Sequence, residues 1–331
     1  MLLSVVVIGR NEGERLAACL HSVQHMRRDG FTVETIYVDS GSVDGSVELA
    51  EAMGARVVAL SPERPSAALG RNAGWRAGLG EMILFLDGDT ILDPEFVAAS
   101  LPEFNAPEIA IVWGHRRETR PRSSMYVRML DLDWIYAPGF TPYCGGDALM
   151  RRAVLESVGG FDDTLIAGEE PELCRRIAAK GFRILHVDRK MTGHDLAIHH
   201  FSQYWRRNTR AGYAFAEVSD MLKARGESFW EEEAVKNRNR ALTHIAVLLA
   251  GVLGSVLLRS ALPLALMIAF FAAISLRSAL KNRWKTDDWV ALLLFGIHSH
   301  FQQLPIFWGQ LKYKWNRRRG TRQKLVEYKR S

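Results

Sequence analysis

Short β-branched runs alternate with amphipathic stretches along the first ninety residues, and this alternation constrains the fold more than any other feature. Leu2–Gly9 (LLSVVVIG) reads as a buried strand closed by Arg10-Asn11-Glu12, after which Leu16, Leu20, Val23 and Met26 recur at helical spacing. Residues 36–39 open a second unit, with residues 40–46 as its loop and 47–53 as its helix. A strand at 56–60, a helix near 69–79 and the apolar run 82–87 continue the pattern. Such alternation implies an α/β fold with a mainly parallel sheet covered by helices on both faces. Ligands of these sheets lie beyond the carboxyl ends of the strands, which is where Asp39, Asp87 and Asp89 fall.

Asp87-Gly88-Asp89 closes the last of those runs. Two carboxylates at a strand end can grip a hard divalent cation, which takes oxygen ligands and shares them with a substrate's phosphates. Asp-x-Asp alone more often marks a plain turn after a buried strand, so its neighbours decide. Taken together, these segments resemble the family 2 glycosyltransferases of the GT-A fold over roughly residues 2–210. The resemblance implies that Ile8, Gly9, Arg10 and Glu12 in the first loop, with Asp39 and Ser42, hold the nucleoside. It implies that Arg71 and Asn72 lie near the diphosphate, that Asp87 and Gly88 meet the donor, and that Asp87 and Asp89 bind Mg²⁺ or Mn²⁺. By itself Asp39 reads as a helix cap or turn residue.

The acceptor side resembles the family as well. Cys144-Gly145-Gly146-Asp147 is similar to its glycine-rich acceptor segment, where a bare backbone allows close approach. In Gly168-Glu169-Glu170-Pro171-Glu172-Leu173, Glu170 stands where the family has its catalytic Asp. A hydroxyl attacking an anomeric carbon must lose its proton, and a placed carboxylate that takes it contributes about 10²- to 10⁴-fold. One displacement then gives inversion. The longer glutamate leaves both Glu169 and Glu170 as candidate bases. Without the resemblance, these acids read as first-turn residues favoured by the helix dipole, with Pro171 as a helix-start residue. Related enzymes complete the metal site with a later His, here His194, with His199 and His200 as rivals. Gln203, Arg206 and Arg207 are similar to a Gln-x-x-Arg-Trp motif of processive synthases with Arg in the Trp position, which implies a single addition.

The chain's 331 residues fit a catalytic domain over 1–235, including an interfacial connector near 203–235, followed by a membrane-associated part over 236–331. Cys19, Cys144 and Cys174 have no paired spacing, so no disulfide framework or zinc site is expected. Met1-Leu2-Leu3 runs straight into the first strand, and no signal peptide is expected. Residues 241–258 and 260–276 carry no Asp, Glu, Lys or Arg and suggest a hairpin over 241–276 with Arg259 at its tip. Each run would be about 27 Å long as a helix. A third uncharged run, 289–311, contains His298, His300, Gln302, Gln303 and Pro305, which favours a re-entrant or interfacial segment over a full third span. Residues 312–331 hold nine Lys and Arg against Glu327, so the chain's net charge of +6 resides in this basic tail. That distribution points to lipid headgroups, not nucleic acid. The positive-inside tendency places the catalytic domain on the cytosolic side of the inner membrane or its equivalent.

The expected function is metal-dependent, inverting transfer from a nucleotide-diphosphate sugar, a UDP sugar, to a hydroxyl of a membrane lipid or lipid-linked glycan. A polyprenyl-phosphate sugar transferase is the alternative, but its acceptor arrives ionised and needs no Glu170. A catalytically inactive nucleotide-binding membrane protein would lack the metal acids. The absence of Gly-x-Gly-x-x-Gly after the first strand argues against a dinucleotide oxidoreductase.

Overall fold

The computed structural model describes residues 1–321; the rest of the basic tail, residues 322–331, lies outside the described residues. Two compact units divide the chain, the first comprising Met1–Thr119 and Trp134–Asp195, the second Arg120–Asp133 with the chain from Leu196 onward.

In the first unit the strands are β1 (Leu2–Gly9), β2 (Thr32–Asp39), β3 (Arg56–Ala59), β4 (Met82–Asp87), β5 (Thr90–Leu92), β6 (Ile109–Glu118), β7 (Gly139–Thr141), β8 (Ala148–Arg151) and β9 (Arg183–His194). They form one sheet in the order β3-β2-β1-β4-β8-β6-β9-β5, with β7 paired to β9. The half from β3 to β4 is parallel, as the alternation implies. The other half is mixed, because β8 runs antiparallel between β4 and β6 while β6 and β9 run parallel. Two antiparallel steps cancel, so the carboxyl ends of β1, β2, β4, β6 and β9 all reach the same edge. Gly9, Asp39, Asp87, Glu118 and His194 are the last residues of those five strands.

Helices α1 (Glu14–Gln24), α2 (Ser46–Ala52), α3 (Ala67–Ala77) and α4 (Phe96–Ser100) belong to this unit. The second unit contributes α5 (Met125–Leu130), and the first resumes with α6 (Arg152–Val158) and α7 (Glu169–Ala179). Val5, Val6, Val7, Ile36, Val38, Leu84 and Phe85 are fully buried, which is why β1, β2 and β4 read as near-continuous apolar runs. Gly74 lets α3 lie close on this sheet, for a Cβ there would meet the side chains of Val6 and Val38.

The second unit continues with α8 (Phe201–Ala224), α9 (Glu231–Leu257), α10 (Leu262–Lys281), α11 (Trp289–Phe301) and α12 (Gln303–Arg318). A small core of Val127, Met129, Leu130, Leu196, Ile198 and Tyr204 joins α5 to α8. Arg128 grips Asp288 through two nitrogens at 2.9 and 2.6–2.7 Å, and Asp288 also caps α11 by accepting from Val290 and Ala291. Among the described residues, Glu231–Leu257, Leu262–Lys281 and Trp289–Arg318 are long and apolar enough to cross a membrane. The first two form a hairpin turned at Arg259, whose φ is +49°. In the third, α11 gives way to α12 at Gln302, whose backbone stays helical at φ −58° and ψ −21°. Pro305 lacks the N–H that would continue the ladder to residue 301.

Gly74→Ala sets two effects against each other: alanine favours the helix by about 1 kcal/mol, while overpacking a stiff valine pair costs about 1–3 kcal/mol. We expect net destabilisation, read as a lower thermal midpoint of the full chain in detergent.

Candidate active site

Asp87 ends β4 with its carboxylate between two guanidinium groups. Arg71 of α3 reaches Oδ1 at 3.1 Å, and Arg116 of β6 reaches Oδ2 at 3.1 Å. Both arginines are buried, so the charges are held in a poorly screened setting where pairing is obligatory. Arg71 also meets Glu169 at 2.8 Å and Glu170 at 3.0 Å, the first two residues of α7. Arg116 stacks over Trp134 and lies 3.6 Å from Asp147 and 3.9 Å from Asp89. Gly146 sits against this cluster, and a Cβ there would meet Arg71, Glu170 and Asp87 together. Any side chain at that position would force the ion pairs apart.

Glu170 and Glu169 share one arginine but differ in exposure: the Glu169 side chain is 5% exposed and that of Glu170 is 17%. Burial, and next the charge of Glu169, push the Glu170 carboxyl up to about 7 against the opposing pull of Arg71. Gly168, at φ +85°, starts the helix that aims both acids at Arg71. Glu172, one turn on, is fully buried and taken up by Arg176 at 2.6–2.7 Å.

His194 ends β9 between two other strands, opposite Glu118 of β6 and Thr90 of β5. Its Nδ1 lies 2.9 Å from Glu118 Oε1 and its Nε2 3.2 Å from Asp89 Oδ2. Burial and the nearby charge of Arg116 lower its pKa, so the ring is neutral near pH 7. A neutral ring that donates from Nδ1 to Glu118 turns the Nε2 lone pair toward the Asp89 carboxylate. Two acceptors then face each other, a contact that suits a cation, and a carboxylate orienting a ligating histidine is a common support for bound metal. Among the described residues no three His, Cys, Asp or Glu side chains converge on one point. Protein ligands as few as these match cations that draw their remaining ligands from substrate phosphates.

The first loop and the loop after β2 are stapled together. Asp39 accepts from the backbone of Gly41 and Ser42 at 2.9 and 2.8 Å and from Tyr37 at 3.0 Å. The Asn11 backbone donates to Ser42 Oγ, the Val43 backbone donates to Asn11 Oδ1, and Arg10 donates to the Gly41 carbonyl. Gly88 donates to Ile8 at 2.8 Å, joining the Asp87 turn to Gly9. Glu12 pairs with Arg15 at 2.9 Å.

Several residues named from the sequence are committed to the scaffold. Asn72 is buried and binds the Phe161–Asp163 turn through both ends of its amide. Asp147 accepts from the Asp87 backbone at 3.0 Å and from Thr192 at 2.7 Å, tying β4 to β9, while Gly145 lies against Trp113. Gln203, Arg206 and Arg207 lie in the second unit. Gln203 caps α8 by accepting from His199 and His200, Arg206 donates to the Ser202 carbonyl, and Arg207 is 3.8 Å from Asp133. His199 and His200 precede α8 in that unit. Arg116, Glu118 and Trp134 were missed. Their only sequence signal is the change from apolar to charged residues at the end of β6, Trp113-Gly-His-Arg-Arg-Glu118.

Residues 4–159 match the family described as glycosyl transferase family 2, and residues 82–301 match glycosyl transferase family group 2. The chain belongs to the family 2 glycosyltransferases. It is 23% identical over 198 residues to glycosyltransferase AglE of Haloferax volcanii, covering 55% of this chain and 63% of that protein. It is 27% identical over 207 residues to the pre-mycofactocin glycosyltransferase of Mycobacterium tuberculosis, covering 58% of this chain and 42% of that protein. The matches thus span less than two thirds of either relative. The mannosyltransferase PcManGT from Pyrobaculum calidifontis, solved with GDP-Man and Mn²⁺, shares the fold at a TM-score of 0.62 and 19% identity, over 95% of this chain and 87% of that one. Residues 1–349 of TarS from S. aureus share it at a TM-score of 0.52 and 15% identity, over 97% and 92%. These likenesses establish the GT-A fold.

Arg71→Met should leave three carboxylates without their shared cation and destabilise the protein by about 3–5 kcal/mol near neutral pH. Glu170 is raised in the folded state, so its protonation favours folding at low pH, and that contribution is lost as pH rises through about 7. Without Arg71 the raised pKa climbs further. The gap in thermal midpoint between parent and variant should therefore widen as pH increases across this window.

Proposed function

We propose that the protein is a membrane-associated, inverting glycosyltransferase that moves a sugar from a nucleotide-diphosphate sugar to a hydroxyl on a membrane lipid or lipid-linked glycan, in single additions. The observation that carries this reading is the convergence at one sheet edge of the Asp89–His194 pair, the arginine-bound Asp87 and the half-buried Glu170. The mannosyltransferase of the same fold, solved with GDP-Man and Mn²⁺, supports a nucleotide-diphosphate donor with Mg²⁺ or Mn²⁺.

Asp89 and His194 would hold the cation, with Asp87 beside them. When bound, the cation would neutralise charge developing on the departing diphosphate. The remaining chemistry falls to side chains. The loops bearing Ile8, Gly9, Arg10, Glu12, Asp39 and Ser42 bind the nucleoside, and their mutual hydrogen bonds hold that surface in place before the donor arrives. Arg71 anchors Glu169. Glu170, the more exposed of the two and poised near 7, accepts the proton of the acceptor hydroxyl as the oxygen attacks. Gly145 and Gly146 leave room for that oxygen. A single attack opposite the leaving group inverts the anomeric centre. The apolar helices of the second unit supply proximity to a lipid acceptor, with the catalytic domain on the cytosolic side.

Two measurements test this reading. A panel of UDP and GDP sugars is scored for metal-dependent transfer to lipid alcohols and lipid-linked glycans, and Asp89→Asn should abolish most of it. Glu170→Gln should lower transfer by about 10²-fold or more with little change in donor Kd, and the parent's rate should fall on the acid side of about pH 7. An acceptor phosphate arrives without a proton to remove. Undiminished Glu170→Gln turnover with a lipid phosphate would replace the hydroxyl acceptor by that one.

A further inference from the structure

The helix α12 shows two opposite faces with different partners. One face packs on α8 at backbone distance: a Cβ on Gly309 would enter the Thr209 carbonyl, and one on Gly212 the Ile306 carbonyl. Gln303, Ile306 and Gln310 are buried on that face, Tyr313 sits edge-on to Tyr213, and Arg317 pairs with Asp220. The other face is apolar and open. Trp308, Leu311 and Trp315 are 41–53% exposed, and half-buried Leu304 completes the row. Their spacing of three and four residues places them on a single stripe.

The charges beside the stripe are all of one sign. At about 100° per residue, Lys312 falls on one flank and Lys314 and Arg318 on the other. Arg319 lies 4.5 Å over the Trp315 ring, near the stripe's end. A helix with tryptophans on its apolar face and lysines and arginines along both flanks fits the boundary between headgroups and acyl chains, with attraction to anionic lipid. Trp289–Arg318 is long and apolar enough to cross, but one side of α12 is sealed against α8 through the Gly309 and Gly212 contacts.

We propose that α12 lies in the plane of the membrane surface, with the stripe from Leu304 to Trp315 immersed in the interface of an anionic leaflet and its Lys and Arg flanks on the lipid phosphates. The occupant of this face is the bilayer itself, chosen by positive charge on both flanks and by the absence of any acidic side chain along the described α12. The surface is independent of the sugar-transfer reading.

The test uses the full chain in nanodiscs of phosphatidylcholine alone or mixed with phosphatidylglycerol. Trp308→Cys, Leu311→Cys and Trp315→Cys are spin-labelled one at a time, and immersion depth is read by power saturation. Cys19, Cys144 and Cys174 are buried and serve as the unlabelled background, checked with the parent protein. A helix in the plane puts all three labels at one depth near the headgroup boundary. A crossing helix spreads Trp308 and Trp315 by about 10 Å, and a spread above half that distance overturns the proposal. Labels in water, or spin–spin broadening between copies, also overturn it, the latter by assigning the stripe to a second chain. With phosphatidylglycerol present the labels should sit deeper than in phosphatidylcholine alone. Lys312→Gln combined with Arg318→Gln and Arg319→Gln should erase that difference. Parent depths identical in the two lipids would contradict the anionic partner.

Discussion

The first unit depends on the clamp of Arg71 and Arg116 on Asp87. One arginine comes from the helix before β4 and the other from a strand two places along the sheet, so the carboxylate locks α3, β4 and β6 at their shared edge. Glu169, Glu170, Asp147 and Asp89 gather around the same two guanidinium groups. Acids outnumber bases there, and the buried setting weakens screening. The fold holds this excess in place through the two arginines. It also explains a carboxylic acid poised near neutrality, since the last carboxylate to ionise does so against the charge already present.

The parts of this arrangement legible in the sequence are those set by local pattern. Apolar runs ending in Gly9, Asp39 and Asp87 locate the strand ends, and parallel topology sends those ends to one edge. Glu169 and Glu170 stand at a helix start, as Pro171 and the run of acids suggest. What was not legible depends on pairing between distant segments. Arg116 and Glu118 reach the cluster only because β6 pairs with β9 through a register shift after Trp113, and no local signal reports that partner. The antiparallel β8 was hidden for the same reason: Ala148–Arg151 is too short to declare its direction.

Side-chain use was harder to read than side-chain position. Asn72, Asp147 and Gln203 sit in segments that resemble functional motifs, yet their hydrogen-bonding groups are engaged in a turn, a strand tie and a helix cap. A polar residue in a motif can serve the backbone as readily as a ligand, and only the partner list separates the two. In the second unit, composition marked the apolar helices, and Gln302, Gln303 and Pro305 marked the place where α11 gives way to α12.

The central claim is that Asp89 and His194 form half of a cation site whose other half is a nucleotide diphosphate. Calorimetric titration of Mn²⁺ into the purified full chain, with and without saturating nucleoside diphosphate, tests it most directly. The account predicts weak Mn²⁺ binding alone and at least about tenfold tighter binding with the nucleotide, because coupling between two ligands must be reciprocal. It further predicts that Asp89→Asn abolishes the enhancement. Nucleotide and Mn²⁺ affinities that are independent of each other would contradict it.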